Sequence, residues 1–437
     1  MRKLGGFSVL ETLSPEVFSV LQFYAANEPL LPNMRTLDLW YISRETISFI
    51  PFLLSPRITI ISIVGFGSQI PKATVASMIA TFPKLCPNLQ EITLYSLPRD
   101  PMTAAALSGM VLASNRNTLQ CFHVDYPLTN EARQVVYNLP NLRSLLVVIE
   151  KDSPLPPVVL PNLTDLSIRY GHESDWLQMF RRATLGPLEA ITFHSTSETV
   201  GDFLEAFERV ALAASVQHTL SKFRFYTICS WNPNYSSLLP FTQITTLAIR
   251  FSCHGGCSST VDDDIITNLA RAMPRLEALE LSDPPCREIP TGVTARGLAA
   301  LAHHCPYLST LCIHFQAASL CVPPAISKRT SDSGSAALRR DCALRDLEVG
   351  EIPVPEESVL VVALTLAQLF PRLEGIDCDD GEGDYENWKM VVDTIRTSRE
   401  VIDHSSEEHP LSAPRSSFID TYPGATLSPG TIIEGAI

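Results

Sequence analysis

Along most of this chain the apolar residues follow two alternating rhythms. Short stretches alternate apolar and polar at a period of two, which marks a strand with one buried face. Between them lie longer stretches with apolar residues three and four apart, which mark amphipathic helices. The strand stretches share the form Pro-x-Leu-x-x-Leu-x-Leu, with other apolar residues standing in for leucine. Pro32–Leu39, Pro87–Leu94, Pro140–Val147, Pro161–Ile168, Pro274–Leu281, Pro306–Ile313 and Pro371–Cys378 fit it, and Pro187–Phe193 fits with one residue fewer. Weaker copies at Ile58–Ile63, Leu119–Val124, Leu220–Phe225, Ile244–Ile249 and Leu344–Val349 lack the proline or shift it. The helical stretches are Ala73–Leu85, Ala104–Leu112, Phe203–Ala214, Ile265–Met273, Gly297–His304 and Val359–Phe370. A proline after such a stretch ends it, because the residue before proline is pushed toward extended geometry.

One unit therefore reads helix, proline stop, short strand, and about a dozen follow at a spacing of roughly 21 to 37 residues. No unit can bury both of its faces alone, so neighbours must stack into a parallel sheet backed by helices. The expected fold is an α/β leucine-rich-repeat solenoid, a horseshoe with a parallel concave sheet and helices on the convex side. Residues 1–30 read as an N-terminal helical cap, with Ser14 as N-cap, Pro15 at the first helical position and the helix reaching about Asn27. Repeats fill 31–400. Residues 316–341, with Cys321-Val-Pro-Pro and then a Ser/Gly/Arg-rich run, read as an inserted flexible loop. A helix at Tyr385–Arg399 closes the C-terminal end, and 401–437, rich in Ser, Pro and Gly, read as a disordered tail.

The stretch Thr294-Ala-Arg-Gly-Leu-Ala-Ala-Leu-Ala-His-His-Cys-Pro-Tyr-Leu-Ser-Thr-Leu-Cys-Ile313 resembles the cysteine-containing leucine-rich repeat of F-box proteins. Pro83–Leu94 matches its central part. The irregular spacing and the Leu-Pro-Asn openings at Leu31, Leu139 and Leu160 are similar to fungal F-box-like repeat proteins. This resemblance spans roughly residues 1–400. It implies a protein-interaction scaffold like the substrate-recognition half of an F-box ubiquitin-ligase receptor. Where an F-box is present, it also implies a cullin-ligase adaptor as partner. The F-box itself is not evident: it is a helical module longer than Met1–Leu31, and only Leu13–Phe18 is similar to its opening. It is expected to be lost from this chain or to lie upstream of it. The alternative is an F-box-less repeat scaffold with no role in ubiquitin ligation.

Composition narrows the partners. A net charge of −14 and a pI near 5.2 argue against nucleic acid or an anionic membrane, which select a basic footprint. Apolar runs such as Val359–Leu369 are far shorter than a membrane span of ~20 residues. Gly5, Gly6, Ser8 and Glu11 interrupt any apolar core of a signal peptide. The 11 cysteines are odd in number and scattered, which fits reduced thiols in a cytoplasmic or nuclear protein. On that reading the sequons at Asn162 and Asn234 are incidental.

Candidate chemistry is sparse. Gly65-Phe-Gly67 is half of a phosphate loop without its lysine and reads as a turn. Cys253-His254-Gly-Gly-Cys257 lacks a second ligand pair for zinc. Asp377-Cys-Asp379-Asp380-Gly381-Glu-Gly-Asp384 misses the calcium-loop register. Asp262-Asp-Asp264 and His303-His304 sit where helix dipoles favour them. No nucleophile or metalloprotease motif occurs, so the chain reads as a non-enzyme with no cofactor and no metal.

The outward strand positions carry the functional expectation. The first units offer Thr36, Asp38, Trp40, Glu91, Thr93 and Tyr95, and the last offer Glu280, Glu348, Asp377 and Asp379. Between them stand Arg169, His194, Lys222, Arg224, Tyr226 and Arg250. The expectation is a basic central concave patch with aromatic neighbours and an acidic C-terminal flank, docking a protein or an acidic or phosphorylated peptide.

Overall fold

The computed structural model describes Lys3–Leu4, single positions at Val17, Val20 and Phe23, and residues 29–407 with internal exceptions. The exceptions are 114–116, 151–156, 172, 196–202, 215, 228–232, 252–260, 283–291, 322–341, 350–351 and 379–384. The chain divides into two compact units, Met1–Ile395 and Arg396–Ile437.

The first unit is an α/β structure built on one long parallel sheet. Its strands are β1 (Lys3–Leu4), β2 (Thr36–Leu39), β3 (Ile60–Ile63), β4 (Glu91–Leu94), β5 (Cys121–Val124), β6 (Ser144–Ile149) and β8 (Asp165–Tyr170). It continues through β10 (Ala190–Ser195), β11 (Lys222–Thr227), β12 (Thr246–Phe251), β13 (Ala278–Ser282), β14 (Thr310–Ile313), β15 (Asp346–Glu348) and β16 (Gly375–Asp377). These fourteen strands lie in chain order, so each pairs with its neighbours along the sequence and the sheet does not close on itself. Two further strands, β7 (Val158–Leu160) and β9 (Ala183–Leu185), form a separate parallel pair.

Helices occupy most of the connections. They are α1 (Ile50–Leu53), α2 (Lys72–Leu85), α3 (Pro101–Ala113), α4 (Asn130–Val136), α5 (Glu173–Arg181) and α6 (Phe203–Ala213). The C-terminal part adds α7 (Asp263–Ala272), α8 (Ala295–His304), α9 (Val359–Leu369) and α10 (Tyr385–Glu407). The core lies between them and the inward strand residues, such as Leu37 and Leu39, Ile61 and Ile63, Ile92 and Leu94, and Leu279 and Leu281.

Two devices repeat from unit to unit. The residue after α2, α7, α8 and α9 (Cys86, Met273, Cys305, Phe370) is buried, takes φ −114 to −129° with ψ 65 to 77°, and is followed by proline. Its N–H still closes the helix while its ψ turns the chain away from helical geometry, as a residue before proline must. In two units with cysteine near this turn the thiol is used: Cys305 Sγ approaches Ala270 O at 3.7 Å, and Cys342 Sγ approaches Cys305 O at 3.5 Å. Each thiol thus helps satisfy carbonyls of the preceding unit that helix bonding leaves over. No disulfide joins the described cysteines.

The second device is a shared carbonyl ahead of each strand. Arg35 O accepts both Thr59 and Ile60 N–H, Thr59 O accepts Gln90 and Glu91, and the pattern runs on to Arg345 O, which accepts Glu374 and Gly375. Twelve carbonyls from Arg35 to Arg345 are shared this way. They hold the main-sheet strands from β2 to β16 in the same register whatever the length of the connection behind each.

The structure departs from the sequence reading in several places. The N-terminal segment contributes β1, which pairs with Thr36 and Leu37, where a helix alone was expected. Val17, Val20 and Phe23 are helical, and the rest of the expected cap lies outside the described residues. The expected loop 316–341 begins as a 3-10 helix at Ala317–Cys321, with Ala317 and Leu320 buried. Residues 322–341 lie outside the described residues. The expected tail from 401 instead starts as helix, since α10 runs to Glu407; 408–437 lie outside. Between β6 and β8 the described residues hold the short strand β7, directly after Pro157, which has no N–H to give a helix. At the C-terminal end Trp388 is buried, donates its indole N–H to Ile352 O at 2.7 Å and meets Phe315 edge-on.

Candidate functional site

The sheet face away from the inward core residues presents every second strand residue in three aligned rows. Pairing register places Arg169, His194, Tyr226 and Arg250 side by side on β8, β10, β11 and β12. The next row holds Ser167, Thr192, Arg224, Ala248 and Glu280, and the third Asp165, Ala190, Lys222, Thr246 and Ala278. All six residues singled out from the sequence therefore share one face over four adjacent strands. An aromatic cluster lies on the inward side of the same strands. Trp176, Phe193, Phe203, Phe207, Phe223 and Phe225 are buried, many in edge-to-face or tilted contact, such as Phe193–Phe203 at 4.9 Å. Such packing fixes the backbone that carries the outward residues.

The electrostatics revise the expectation of a basic patch. Arg169 forms an ion pair with Asp125, across β6, and Arg250 forms one with Glu280 on the neighbouring strand. His194 and Tyr226 stack, with ring centroids 4.9 Å apart and planes 15° apart. Burial, helped by the Arg169 charge and opposed by Asp125, lowers the His194 imidazole to about 4, so it is neutral at pH 7. Only Lys222 and Arg224 of the four cations lack an ion pair among the described residues.

Toward β4–β6 the face continues with groups that the sequence reading left out or did not connect. His123 Nε2 and Ser144 Oγ are 2.7 Å apart. Burial lowers the His123 imidazole against the pull of Asp165, and raises the Cys121 thiol to about 12. Burial also raises the Asp165 carboxyl, while His123, Arg224 and Lys222 act the other way. The signal that would have found Asp125 and Asp165 was already present. Both occupy outward positions of the same alternation that yielded Tyr95 and Arg169.

A serine bonded to a histidine invites a catalytic reading, and the geometry opposes it here. Acyl transfer needs N–H donors aimed at a developing oxyanion, but the backbone amides of β5, β6 and β8 are engaged in the ladder. Register places β6 with Ser144 between the strands of His123 and Asp165, so the acid stands on the serine side and not behind the imidazole as in a Ser-His-Asp triad. Among the described residues no three His, Cys, Asp or Glu side chains converge as a metal site.

Other sequence candidates fall into structural roles. Gly65 and Gly67 form a turn bridging Ile42 and Phe66, with Gly67 N–H bonded to Ile42 O at 2.8 Å. Asp262 caps α7 by accepting Ile265 N–H at 2.8 Å. Asp263 reaches instead to the next unit, accepting Thr294 and Gly297 N–H. His303 and His304 lie in the last turn of α8. Cys253–Cys257 and Asp379–Asp384 lie outside the described residues. At the acidic flank, Glu348 and Asp377 are paired by register and exposed. Among the described residues no helix is long and apolar enough to cross a membrane. Compared with known proteins, the chain matches no family model and no curated protein.

Proposed function

We propose that this chain is a leucine-rich-repeat scaffold of the horseshoe class whose outward sheet face docks a protein partner. The observation that carries this reading is the unbroken register of the sheet. A shared carbonyl at each step lines up outward residues from a dozen units as one surface, and repeat architectures typically bind on such surfaces. On this reading the central strands β8–β12 are the docking centre. Tyr226 and His194 supply a rigid aromatic contact, and Lys222 and Arg224 are open to an acidic or phosphorylated side chain.

Replacing Lys222 and Arg224, the two cations of the face without an ion pair among the described residues, with Glu is expected to abolish capture of the partner in a pull-down while leaving the thermal melt unchanged. Unaltered capture would overturn the assignment of the face. The similarity to F-box repeat proteins adds one partner to test, the cullin-ligase adaptor. Co-purification with it would place the scaffold in a ubiquitin-ligase receptor; its absence from the complex favours a scaffold without ligase role.

A further inference from the structure

Charges on the central face are handled in two ways. Arg169 and Arg250, at the ends of their row, are each neutralised by a carboxylate of the same face, Asp125 and Glu280. Asp165, Lys222 and Arg224 are not. Among the described residues these three make neither an ion pair nor a side-chain hydrogen bond, although they influence one another electrostatically. What keeps them apart is β10. Register sets Ala190 between Asp165 and Lys222, and Thr192 beside Arg224. The acid and the bases are thus two strand spacings apart, about 10 Å, across a floor of small side chains. A half-buried carboxylate left beside cations it does not meet lacks the compensation such groups usually have. An incoming group of each sign would supply it.

Resting on the docking reading above, we propose that this face takes an extended partner segment bearing one basic and one acidic side chain two residues apart. The basic group lies over Asp165 and the acidic group over Lys222 and Arg224. Side chains two apart in an extended chain point the same way and leave the backbone about 6.6–6.8 Å apart. The reach of a lysine or arginine and a carboxylate or phosphate covers the remainder of the 10 Å gap. A segment with two acids would put one of them against Asp165, and a segment with two bases would put one against Lys222 and Arg224. The face therefore discriminates against both, by like-charge repulsion.

The test uses the full chain, labelled, on an array of synthetic peptides with a Gly/Ser frame and a central X-Ala-Z, in which X and Z take every pairing of residues. Retention is expected to concentrate on pairings of Lys or Arg with Asp, Glu or phosphoserine, above acid–acid, base–base and neutral pairings. Asp165→Asn is expected to weaken the selected peptides about tenfold, the worth of one charge-assisted contact, and to shift preference toward acid–acid. Lys222→Ala is expected to shift it toward base–base. Thermal melts of both variants guard against a folding defect, and Lys222 is exposed, so its variant stands even where Asp165→Asn does not fold. Selection of acid–acid pairings by the native chain, no charge preference, or no retained peptide overturns the proposal. If that happens while Lys222→Glu with Arg224→Glu still abolishes partner capture, the charge order falls and the docking face stands. If capture is also unaffected, both fall.

Discussion

Gly297 occupies the third position of α8, where alanine would ordinarily stabilise a helix by up to ~1 kcal/mol. Here the opposite is expected. A Cβ on Gly297 would stand 2.6 Å from Asp263 Oδ1 and 3.2 Å from Val293 Cγ1. That carboxylate ties α7 of one unit to the N-terminus of α8 in the next. It accepts Thr294 N–H at 2.8 Å, Gly297 N–H at 2.9 Å and the Thr294 hydroxyl at 2.5 Å. Displacing it loses up to three charge-assisted hydrogen bonds, each worth ~1.5–3 kcal/mol, with water replacing part of that. Setting a net loss of ~3 kcal/mol against the helical gain of ~1 kcal/mol gives a destabilisation of about 2 kcal/mol for Gly297→Ala. Asp263→Ala alone is expected to cost about 3 kcal/mol. In that background the obstacle is gone, and Gly297→Ala should become neutral or stabilising by up to ~1 kcal/mol. Urea unfolding of the four proteins, followed by circular dichroism, closes the cycle. A single variant as stable as the native chain, or equal effects of Gly297→Ala in both backgrounds, refutes the cross-unit cap.

Gly186→Ala should be more damaging, because its Cβ would lie 2.4 Å from the backbone oxygen of Pro161, which cannot rotate away; a loss of ~3 kcal/mol or more is expected, and a neutral melt would contradict the close approach. Trp388→Ala should cost about 3–5 kcal/mol by emptying a buried aromatic site, and a cost under ~1 kcal/mol would show that the C-terminal end is not held there. Acid should weaken the fold through His194. Its folded pKa of about 4 lies below the ordinary 6.5, so the unfolded chain binds the proton first and stability falls as pH drops from about 6.5 toward 4. His123 acts in the same direction. Allowing for solvent screening of the partly exposed His194 ring, its share between pH 7 and pH 5 is about 1 kcal/mol. A His194→Gln variant with an undiminished pH dependence of the urea midpoint would exclude His194 as its source.

What the sequence determined by itself was the local grammar. The period of two placed β2, β4, β13 and β14 within two residues, and the period near 3.6 placed α2, α6, α7, α8 and α9 almost to their ends. These rhythms are legible because each element buries a fixed face, and proline at the junction leaves the backbone little choice. Membership of the six central residues in one outward face followed from the same alternation. Tertiary structure decided the rest. The strand β1, two residues long, carries no period to read. The pairing of β7 with β9 depends on two segments more than twenty residues apart. Above all, a basic patch could be inferred from Arg169, Lys222, Arg224 and Arg250 only while their neighbours were unknown. Asp125 lies 44 positions from the Arg169 it neutralises, and Glu280 lies 30 from Arg250. Charge along a chain adds up in sequence, but its effect falls with distance in space, and only the register of the strands sets those distances.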